Sequence, residues 1–433
     1  MNTTFTIQTL GCKVNQYESE AIAWQLKNNG MIPQRQHALY AIINTCTVTQ
    51  KAGMQSRQLV RQTIRQNPDA LIIVTGCHAQ ISPEEIEDIA GVHWIIGHAY
   101  KHEIPQRIMA HLYQDKPNSP ELFISDILNH TTYDHIHLES LQKRSRPMIK
   151  IQDGCQSFCS YCIVPYTRGP SRSLPENKIV DMIKCFRDHK YQEVILTGIH
   201  LGMYGHDFHP STQLSQLIKT IIKIPNCPRI RLSSIEPQEI TEELIDIIKE
   251  SPIMCHHLHI PLQSGDDQTL QQMNRQYTVG YFHDLIHKIH EWIPDIAIGI
   301  DILTGFPMET EKAFKNTLLL LESIPAAYFH VFPFSLRQGT RIAKQHSALD
   351  IQTIKARAKK IRDLGIQKKK HFYDSSIGQN QWIIVESSEN NHSRGLTGNY
   401  ISVKVSEKLT KNAMVHVQLQ CVDSAQAMRG QLI

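Results

Sequence analysis

Three cysteines lie close together in the segment Cys155-Gln-Ser-Phe-Cys159-Ser-Tyr-Cys162, with spacings of four and three residues. Thiols this close can surround one metal centre, and thiolates are the usual ligands of iron–sulfur clusters. A closed zinc site fits poorly, because neither a fourth nearby cysteine nor a histidine pair accompanies them. Three ligands on a four-iron cube leave one iron open for chemistry. The alternative is a chance cluster of buried thiols.

A second set of cysteines is dispersed, but each member follows an apolar, β-rich run. Cys12, Cys46 and Cys77 stand directly after the sequences TFTIQTLG, YAIINT and LIIVTG. Because the carboxyl ends of parallel strands share one edge of a sheet, these thiols could converge on a second metal centre. Free cysteine is also among the most buried residue types, so ordinary buried thiols at strand ends fit the spacing equally well.

The other cysteines show no such pattern, and we interpret them as core or surface thiols: Cys185, Cys227, Cys255 and Cys421. Strand alternation places His257 and His259 on one face, where they could bind a metal. The sequence shows no carboxylate partner for them, so we favour histidines that line a core or polar surface.

Elements that position these residues can be read from alternating strand and helix patterns. Three strands are predicted at Phe5–Leu10, Tyr40–Ile43 and Leu71–Val74, each followed by a helix-like stretch, which indicates parallel βα units. Six further strands alternate with helices and predict a partial barrel. They are Met148–Ile151, Glu193–Leu196, Ile230–Leu232, His257–Ile260, Ala297–Ile302 and Tyr328–Phe332. Three short runs near the C-terminus predict a small all-β barrel.

The predicted fold class is therefore α/β, with a parallel N-terminal α/β domain, a central partial (β/α)6 barrel and a small C-terminal all-β barrel. The predicted segments are residues 1–115, a polar linker at 116–146, the barrel at 147–371 and the β-module at 372–433.

Composition narrows the class of protein. The 433 residues are 41% hydrophobic and 20% charged, which excludes global disorder. No apolar stretch approaches about 20 residues, so we expect no membrane span. The N-terminal sequence lacks the features of a signal peptide, which favours a cytoplasmic protein whose ten cysteines are not disulfides. The net charge of +4 is compatible with nucleic acid without indicating it.

Several motifs resemble those of the radical S-adenosylmethionine methylthiotransferases. IQDGCQSFCSYCIVPYTRGPSRS resembles the radical cluster segment of that family, and TLGCKVNQYE, INTCTVT and TGCHAQ resemble its N-terminal domain. IRLSSIEP, HLHIPLQSGDD, DILTGFPMETE and HVFPFSLRQGT are similar to its barrel strands, and the terminal segment resembles the RNA-binding module named TRAM. The most similar subgroup is the tRNA N6-threonylcarbamoyladenosine methylthiotransferases.

This resemblance implies a radical mechanism with two 4Fe-4S clusters. The cluster at Cys155, Cys159 and Cys162 would bind S-adenosylmethionine and release a 5′-deoxyadenosyl radical, which abstracts hydrogen from adenine C2. The cluster at Cys12, Cys46 and Cys77 would present sulfur, and a second S-adenosylmethionine would donate the methyl group. Six positions at other strand ends could hold the cofactor: Thr197, Gly198, Ser234, Glu236, Gln263 and Gly305.

The implied partners are a tRNA anticodon stem-loop and a reductant protein such as flavodoxin or ferredoxin. A threonylcarbamoyl group carries a carboxylate, so its site needs a cation or several hydrogen-bond donors. The candidate cations near predicted strand ends are Arg168, Arg172, Arg231 and Arg337. Eight cations between Lys355 and Lys370 face one acid, Asp363, and could contact RNA phosphates or form a solvated helix face.

The sequence is also compatible with two other functions. Within the family, the substrate could be isopentenyl-adenosine in tRNA or a ribosomal-protein aspartate. From another class, a non-catalytic RNA-binding protein with structural metal could carry the same cysteines, although two triads that each leave a coordination site open argue against it.

Overall fold

The computed structural model describes residues 3–112, 114–136, 144–344, 349–423 and 427–433. The chain forms two compact units. The first unit comprises Met1–Ser140, Gln152–Leu174 and Ser335–Gln345, and the second comprises Leu141–Ile151, Pro175–Phe334 and His346–Ile433. Both cysteine triads therefore belong to the first unit. The four segments drawn from the sequence stay a prediction, and residues 137–143 of the predicted linker lie outside the described residues.

A six-stranded parallel sheet, in the order β2-β1-β3-β4-β5-β6, forms the centre of the first unit. Its strands are β1 (Thr4–Thr9), β2 (Ile32–Pro33), β3 (Tyr40–Thr45), β4 (Leu71–Gly76), β5 (Trp94–Ile96) and β6 (Glu121–Phe123). Its helices are α1 (Lys13–Asn28), α2 (Gln50–Gln66), α3 (Cys77–Ile81), α4 (Pro83–Glu87) and α5 (Ile104–Ala110). Every residue of β3 and β4 is buried, as expected for central parallel strands covered on both faces.

The remaining elements of the first unit surround the clustered cysteines. They are β8 (Gln152–Asp153), α6 (Val164–Arg168) and β9 (Arg172–Ser173), after β7 (Met148–Lys150) of the second unit. β8 and β9 pair antiparallel and enclose the segment that carries the three thiols.

The second unit contains the predicted six-stranded partial barrel, built from two three-stranded parallel sheets, β11-β10-β7 and β12-β13-β14. An isolated bridge from Ser234 to His259 joins them. Besides β7, the strands are β10 (Glu193–Thr197), β11 (Arg229–Leu232), β12 (His257–Gln263), β13 (Ala297–Thr304) and β14 (Tyr328–Pro333). The helices are α7 (Glu176–Asp188), α8 (Leu214–Ile221), α9 (Glu242–Glu250), α10 (Asp267–Gln272), α11 (Val279–Trp292), α12 (Glu311–Ser323) and α13 (Ile351–Asp374).

The C-terminal segment closes into a five-stranded barrel in the order β15-β16-β17-β19-β18, as the sequence predicted. The strands are β15 (Asn380–Glu389), β16 (His392–Thr397), β17 (Ser402–Val405), β18 (Met414–Val422) and β19 (Met428–Leu432). Its core includes Ile383, Val403 and Val417, all fully buried. Within the described residues, no helix is both long enough and apolar enough to cross a membrane.

A buried ionic network attaches this small barrel to the larger one. Glu193, the first residue of β10, is fully buried and accepts hydrogen bonds from Arg231 Nε at 2.7 Å and Arg229 Nε at 2.8 Å. Arg231 also donates to the carbonyl oxygens of Thr397 at 2.9 Å and Gly398 at 3.0 Å. Burial alone would raise the Glu193 pKa, but the surrounding arginines lower it to about 2. The contacts hold the C-terminal barrel at the end where β10 and β11 begin.

Glu193→Gln is expected to destabilise the second unit by about 3–5 kcal/mol at pH 7, because it leaves buried arginines without their counter-ion. The folded pKa of about 2 lies below the ordinary value of 4.5, so this stabilisation is present above pH 4.5 and is lost as the pH falls toward 2. The difference between wild type and variant should therefore shrink in acid. Urea unfolding followed at several pH values measures it.

The matched control is Glu243→Gln, which removes an exposed carboxylate paired with Lys219. It should change the free energy of unfolding by less than about 1 kcal/mol. Equal effects of the two substitutions would contradict the role given to Glu193.

Candidate active site

The three dispersed cysteines converge at one edge of the parallel sheet. Cys12 precedes α1 directly after β1, Cys46 follows β3, and Cys77 begins α3 after β4. β1, β3 and β4 are neighbours in the sheet, and Thr45 is aligned with Gly76, so Cys46 and Cys77 follow paired positions. The convergence predicted from three apolar runs is present in the structure. That these thiols bind a cluster stays a prediction.

Local packing brings the turn before Cys12 close to Cys46. Gly11 has a φ of +106°, and a Cβ there would lie 3.1 Å from Cys46 Sγ, so glycine lets the turn before Cys12 approach Cys46. Burial, followed by the neighbouring Cys77 and Cys12, raises the pKa of Cys46 to about 11. The backbone of Cys46 is fixed by α2, since Ser56 Oγ donates to its carbonyl at 2.7 Å and accepts from its N–H at 3.1 Å.

The clustered cysteines lie on an irregular loop between β8 and α6. Cys155 N donates to Gly169 O at 2.9 Å, and Cys162 N donates to Cys159 O at 2.9 Å. Gly154 has a φ of +77°, and a Cβ there would collide with Pro170 O at 1.9 Å, so only glycine fits before the first thiol. Ser157 N lies 3.5 Å from Cys155 Sγ and can donate to a thiolate there.

Both triads fit an iron–sulfur cube better than a single metal ion. One zinc ion would draw three thiolates to about 3.8 Å from one another, given its 2.3 Å bonds to sulfur. All six cysteines lie in the described part of the chain, and in neither triad are all three sulfur atoms within 4.8 Å of one another. A cube offers a separate iron to each thiolate and suits ligands spread more widely.

Arg168 connects the two cysteine sites within the first unit. Its side chain is only 1% exposed and donates to Asn15 Oδ1 at 2.6 Å, Glu18 Oε1 at 3.0 Å and Asp153 Oδ1 at 2.8 Å. Asn15 and Glu18 lie in the first turns of α1, just after Cys12, and Asp153 stands two residues before Cys155. One guanidinium therefore fixes the backbone that precedes or follows a ligand of each triad.

Asn15 and Glu18 were missed as site residues by the sequence reasoning. Asn15 Nδ2 also donates to Leu10 O at 2.8 Å and Thr45 O at 3.0 Å, which ties together the ends of β1 and β3. Lys101 is buried and donates to the other oxygen of Glu18 at 2.7 Å. The only available signal was the motif TLGCKVNQYE, which does not reveal distant partners.

The six predicted cofactor-binding positions all stand where barrel strands end. Thr197 and Gln263 are the last residues of β10 and β12, and Gly305 follows β13. Gly198 follows Thr197, and Ser234 and Glu236 follow β11. Because these strands are parallel neighbours, the positions share one rim of the partial barrel. Their contact with a cofactor stays a prediction.

Two of these positions, Glu236 and Gly305, make contacts within the protein that do not involve a cofactor. Glu236 Oε1 accepts from Arg275 Nη1 at 3.1 Å, so its carboxylate is already ion-paired. A Cβ at Gly305 would lie 2.5 Å from Ile354, which shows that glycine there makes room for α13. Close packing alone is therefore sufficient to explain Gly305.

The same rim carries buried hydroxyl groups that the sequence reasoning missed. Ser233 Oγ, Ser264 Oγ and Thr304 Oγ1 have no hydrogen-bond partner among the described residues. Unpaired buried hydroxyls are costly, and three at the ends of adjacent strands fit a polar ligand such as the nucleoside part of S-adenosylmethionine.

His257 and His259 are buried, and a carboxylate that was not apparent in the sequence accompanies His259. Asp301 of the neighbouring strand lies 2.7 Å from His259 Nε2 and 3.4 Å from His330 Nδ1. Burial would raise the Asp301 pKa, but hydrogen bonds from the two histidines lower it to about 2. The sequence could not show this partner because it lies 42 residues away.

Three of the four candidate arginines are fully engaged. Arg168 pairs with Glu18 and Asp153. Arg172 donates to His130 O at 2.8 Å and Arg168 O at 2.9 Å, and Arg231 belongs to the Glu193 network. Arg337, on the segment that completes the first unit, is the exception in the described part of the chain. Its Nη2 donates to Thr47 Oγ1, and no acceptor lies within reach of its buried Nε.

Comparison with known proteins agrees with this arrangement. Residues 4–97, which hold Cys12, Cys46 and Cys77, match the uncharacterized protein family UPF0004, and residues 149–321, which hold the other triad, match the radical SAM superfamily. The chain is 36% identical to threonylcarbamoyladenosine tRNA methylthiotransferase MtaB of Bacillus subtilis, over 92% of this chain and 90% of the relative. The chain belongs to the radical S-adenosylmethionine tRNA methylthiotransferases.

This methylthiotransferase is thus a radical S-adenosylmethionine enzyme, and its family implies that cofactor and a 4Fe-4S cluster. It is also 30% identical, over 91% of its length and 83% of the relative, to tRNA-2-methylthio-N(6)-dimethylallyladenosine synthase of Acetivibrio thermocellus. Among solved structures, the radical S-adenosylmethionine methyltransferase TsrM of Kitasatospora setae aligns with a TM-score of 0.57 at 14% identity, covering 79% of this chain and 77% of that one. That likeness concerns the fold alone.

Proposed function

We propose that this enzyme inserts sulfur and a methyl group at adenine C2 of N6-threonylcarbamoyladenosine, next to the anticodon of a tRNA. The observation that carries the proposal is the presence of two cysteine triads in one compact unit, bridged by Arg168. Two reactive centres held by shared residues suit a reaction in which one site activates a carbon and the other delivers sulfur.

The choice of substrate rests on the relatives. The Bacillus subtilis protein named for threonylcarbamoyladenosine is 36% identical, against 30% for the relative named for dimethylallyladenosine. A site for the first substrate also needs a donor for its carboxylate, whereas an isopentenyl group would need an apolar slot. The unpaired donor of Arg337 favours the first.

In this proposal the chain divides the work between its two triads. Cys155, Cys159 and Cys162 would hold the cluster that, with S-adenosylmethionine, supplies radical chemistry at C2. Cys12, Cys46 and Cys77 would hold a second 4Fe-4S cluster, which would supply the sulfur. The protein itself holds both sets of thiolates in place through Asn15, Glu18 and Asp153. It binds the nucleoside part of S-adenosylmethionine at the barrel rim. We further propose that a reductant protein such as flavodoxin or ferredoxin supplies the electrons.

Fewer of the eight cations between Lys355 and Lys370 are available for RNA phosphates than the sequence alone indicates. On α13, Arg357 is buried and donates to Glu309 Oε2 at 2.7 Å. Lys368 Nζ donates to the carbonyls of Glu322 at 2.7 Å and Ile324 at 2.8 Å, and so caps α12. The exposed cations that could contact phosphates are Lys355, Lys359, Lys360, Arg362 and Lys370.

The test is a competition between tRNAs that carry either threonylcarbamoyladenosine or isopentenyl-adenosine, read as methylthiolated nucleosides by mass spectrometry. We expect a preference for the first of at least about a hundredfold, because a site built for polar groups leaves them unpaired when the apolar analogue binds. Preferential modification of the isopentenyl substrate, or of a ribosomal-protein aspartate, would overturn the substrate while leaving the family assignment intact.

A further inference from the structure

Arg337 is a partly buried cation on the segment Ser335–Gln345 of the first unit. In the described part of the chain, no carboxylate lies within 4.0 Å of its guanidinium, and its buried Nε has no acceptor. Glu85, the acid that most raises its pKa, is already paired with Arg57. Burial lowers the Arg337 pKa, whereas Glu85 and then Cys46 raise it.

An uncompensated cation of this kind is costly to retain. Removing a charge from water without a partner disfavours folding, and each unpaired N–H adds a desolvation cost. Surface arginines avoid both costs by remaining in water, as Arg341 does on the same segment. The position of Arg337 is therefore suited to an anion that arrives with a ligand.

The place of this cation is next to the predicted sulfur site. Its Nη2 donates to Oγ1 of Thr47, the residue after Cys46, and its Nη1 lies 3.6 Å from where a Cβ at Gly53 would be. In the covalent structure of the substrate base, C2 and the carbon that bears N6 both flank ring nitrogen N1. A substituent on N6 thus extends from the same edge of the base that must face the sulfur donor.

We propose that Arg337 binds the carboxylate of the threonylcarbamoyl group and so selects the substrate. This inference rests on the proposed function. A guanidinium offers two parallel N–H donors to a carboxylate, a geometry that lysine cannot reproduce. A phosphate of the RNA backbone presents the same oxygen-anion chemistry, but it joins the base through the ribose at the opposite edge. The carboxylate is therefore the source that the position favours.

The experiment compares the affinity of reconstituted holoenzyme for two anticodon stem-loops that differ only in carrying threonylcarbamoyladenosine or plain adenosine. Binding is followed by fluorescence anisotropy with S-adenosylmethionine present and reductant omitted, so that no turnover occurs. Wild type should prefer the modified RNA by about 10- to 100-fold, the range of a charge-assisted hydrogen bond. Arg337→Gln should lose most of this preference and bind the plain RNA as wild type does.

Two further variants make the result specific. Arg341→Gln removes an exposed arginine from the same segment and should keep the preference. Arg337→Lys keeps the charge without the two-pronged geometry and should keep only part of it. Iron content and thermal unfolding of each variant show that it is folded and loaded.

Equal weakening of both RNAs by Arg337→Gln would identify a phosphate contact and overturn the inference. If Arg337→Gln keeps the wild-type preference for the modified RNA, the inference is also overturned, and the role of Arg337 is limited to its hydrogen bond with Thr47. The proposed function has a separate readout, which is methylthiolation of the modified RNA by wild type after reductant is added. If that product forms while Arg337→Gln keeps its preference, the inference alone fails.

Discussion

Replacing Cys155, Cys159 and Cys162 together by alanine is expected to abolish reductive cleavage of S-adenosylmethionine and to leave about half of the iron. If each triad holds one four-iron cube, reconstituted wild type should contain about eight irons per chain and this variant about four. The remaining iron would belong to the triad at the sheet edge. Iron analysis and quantification of 5′-deoxyadenosine measure both effects on the same preparation.

The complementary variant replaces the triad at the sheet edge, Cys12, Cys46 and Cys77. It should also keep about four irons, yet it should still cleave S-adenosylmethionine and form no methylthiolated nucleoside. One variant would lose cleavage of S-adenosylmethionine and the other would lose only the methylthiolated product. This difference would assign radical generation and sulfur delivery to different triads.

A control shows that any loss is specific to the triads. Cys185, Cys227 and Cys421 are thiols outside both triads, and their combined replacement by alanine should leave iron and activity unchanged. If either triad variant keeps all of its iron, or loses all of it, the assignment of two independent sites fails.

The elements that hold these cysteines were predictable because their signal is local. Each of β1, β3 and β4 is an apolar run that ends at a turn, and the pattern alone indicates that parallel strands end where Cys12, Cys46 and Cys77 begin. The barrel strands from β10 to β14 are similarly apparent as apolar runs between helices. Short strands gave no such signal: β2 has only the two residues Ile32–Pro33, and β6 lies in the segment predicted as a linker.

The sequence could not show which charged side chains form ion pairs with each other. Arg168 and Arg231 were plausible ligands for a substrate carboxylate, since each stands near a strand end. Their actual partners are Glu18, 150 residues from Arg168, and Glu193, 38 residues from Arg231. No periodicity reports such a pairing, because long-range ion pairs depend on tertiary packing. For the same reason Arg337 became distinguishable only once its surroundings were known.

Loss of the Arg168 guanidinium is expected to damage both cysteine sites at once. Arg168→Met retains much of the side-chain volume but removes the guanidinium that pairs with Asp153 at 2.8 Å and with Glu18 at 3.0 Å. Breaking a buried ion pair by removing one partner costs about 3–5 kcal/mol. We expect a loss of that size in the free energy of unfolding of the first unit.

Cluster retention should fall together with stability, and in both triads. Asn15 loses the donor that fixes its oxygen, which frees the start of α1 beside Cys12, and Asp153 loses the contact that positions the segment before Cys155. Urea unfolding measures the first effect, and iron content after gel filtration measures the second. Arg168→Lys should recover only part of either, because one ammonium cannot reach three acceptors on two segments in the geometry of a guanidinium.

Arg57→Met is the matched control, since Arg57 forms an exposed ion pair with Glu85 in the same unit. Exposed pairs contribute about 0.2–1 kcal/mol, so this variant should unfold within about 1 kcal/mol of wild type and keep its iron. If Arg168→Met behaves like Arg57→Met in both measurements, Arg168 is a passive core residue. If it loses iron from the Cys155 triad alone, α1 is held by Lys101 and Asn44 without it, and the bridge between the two sites is not needed for the second cluster.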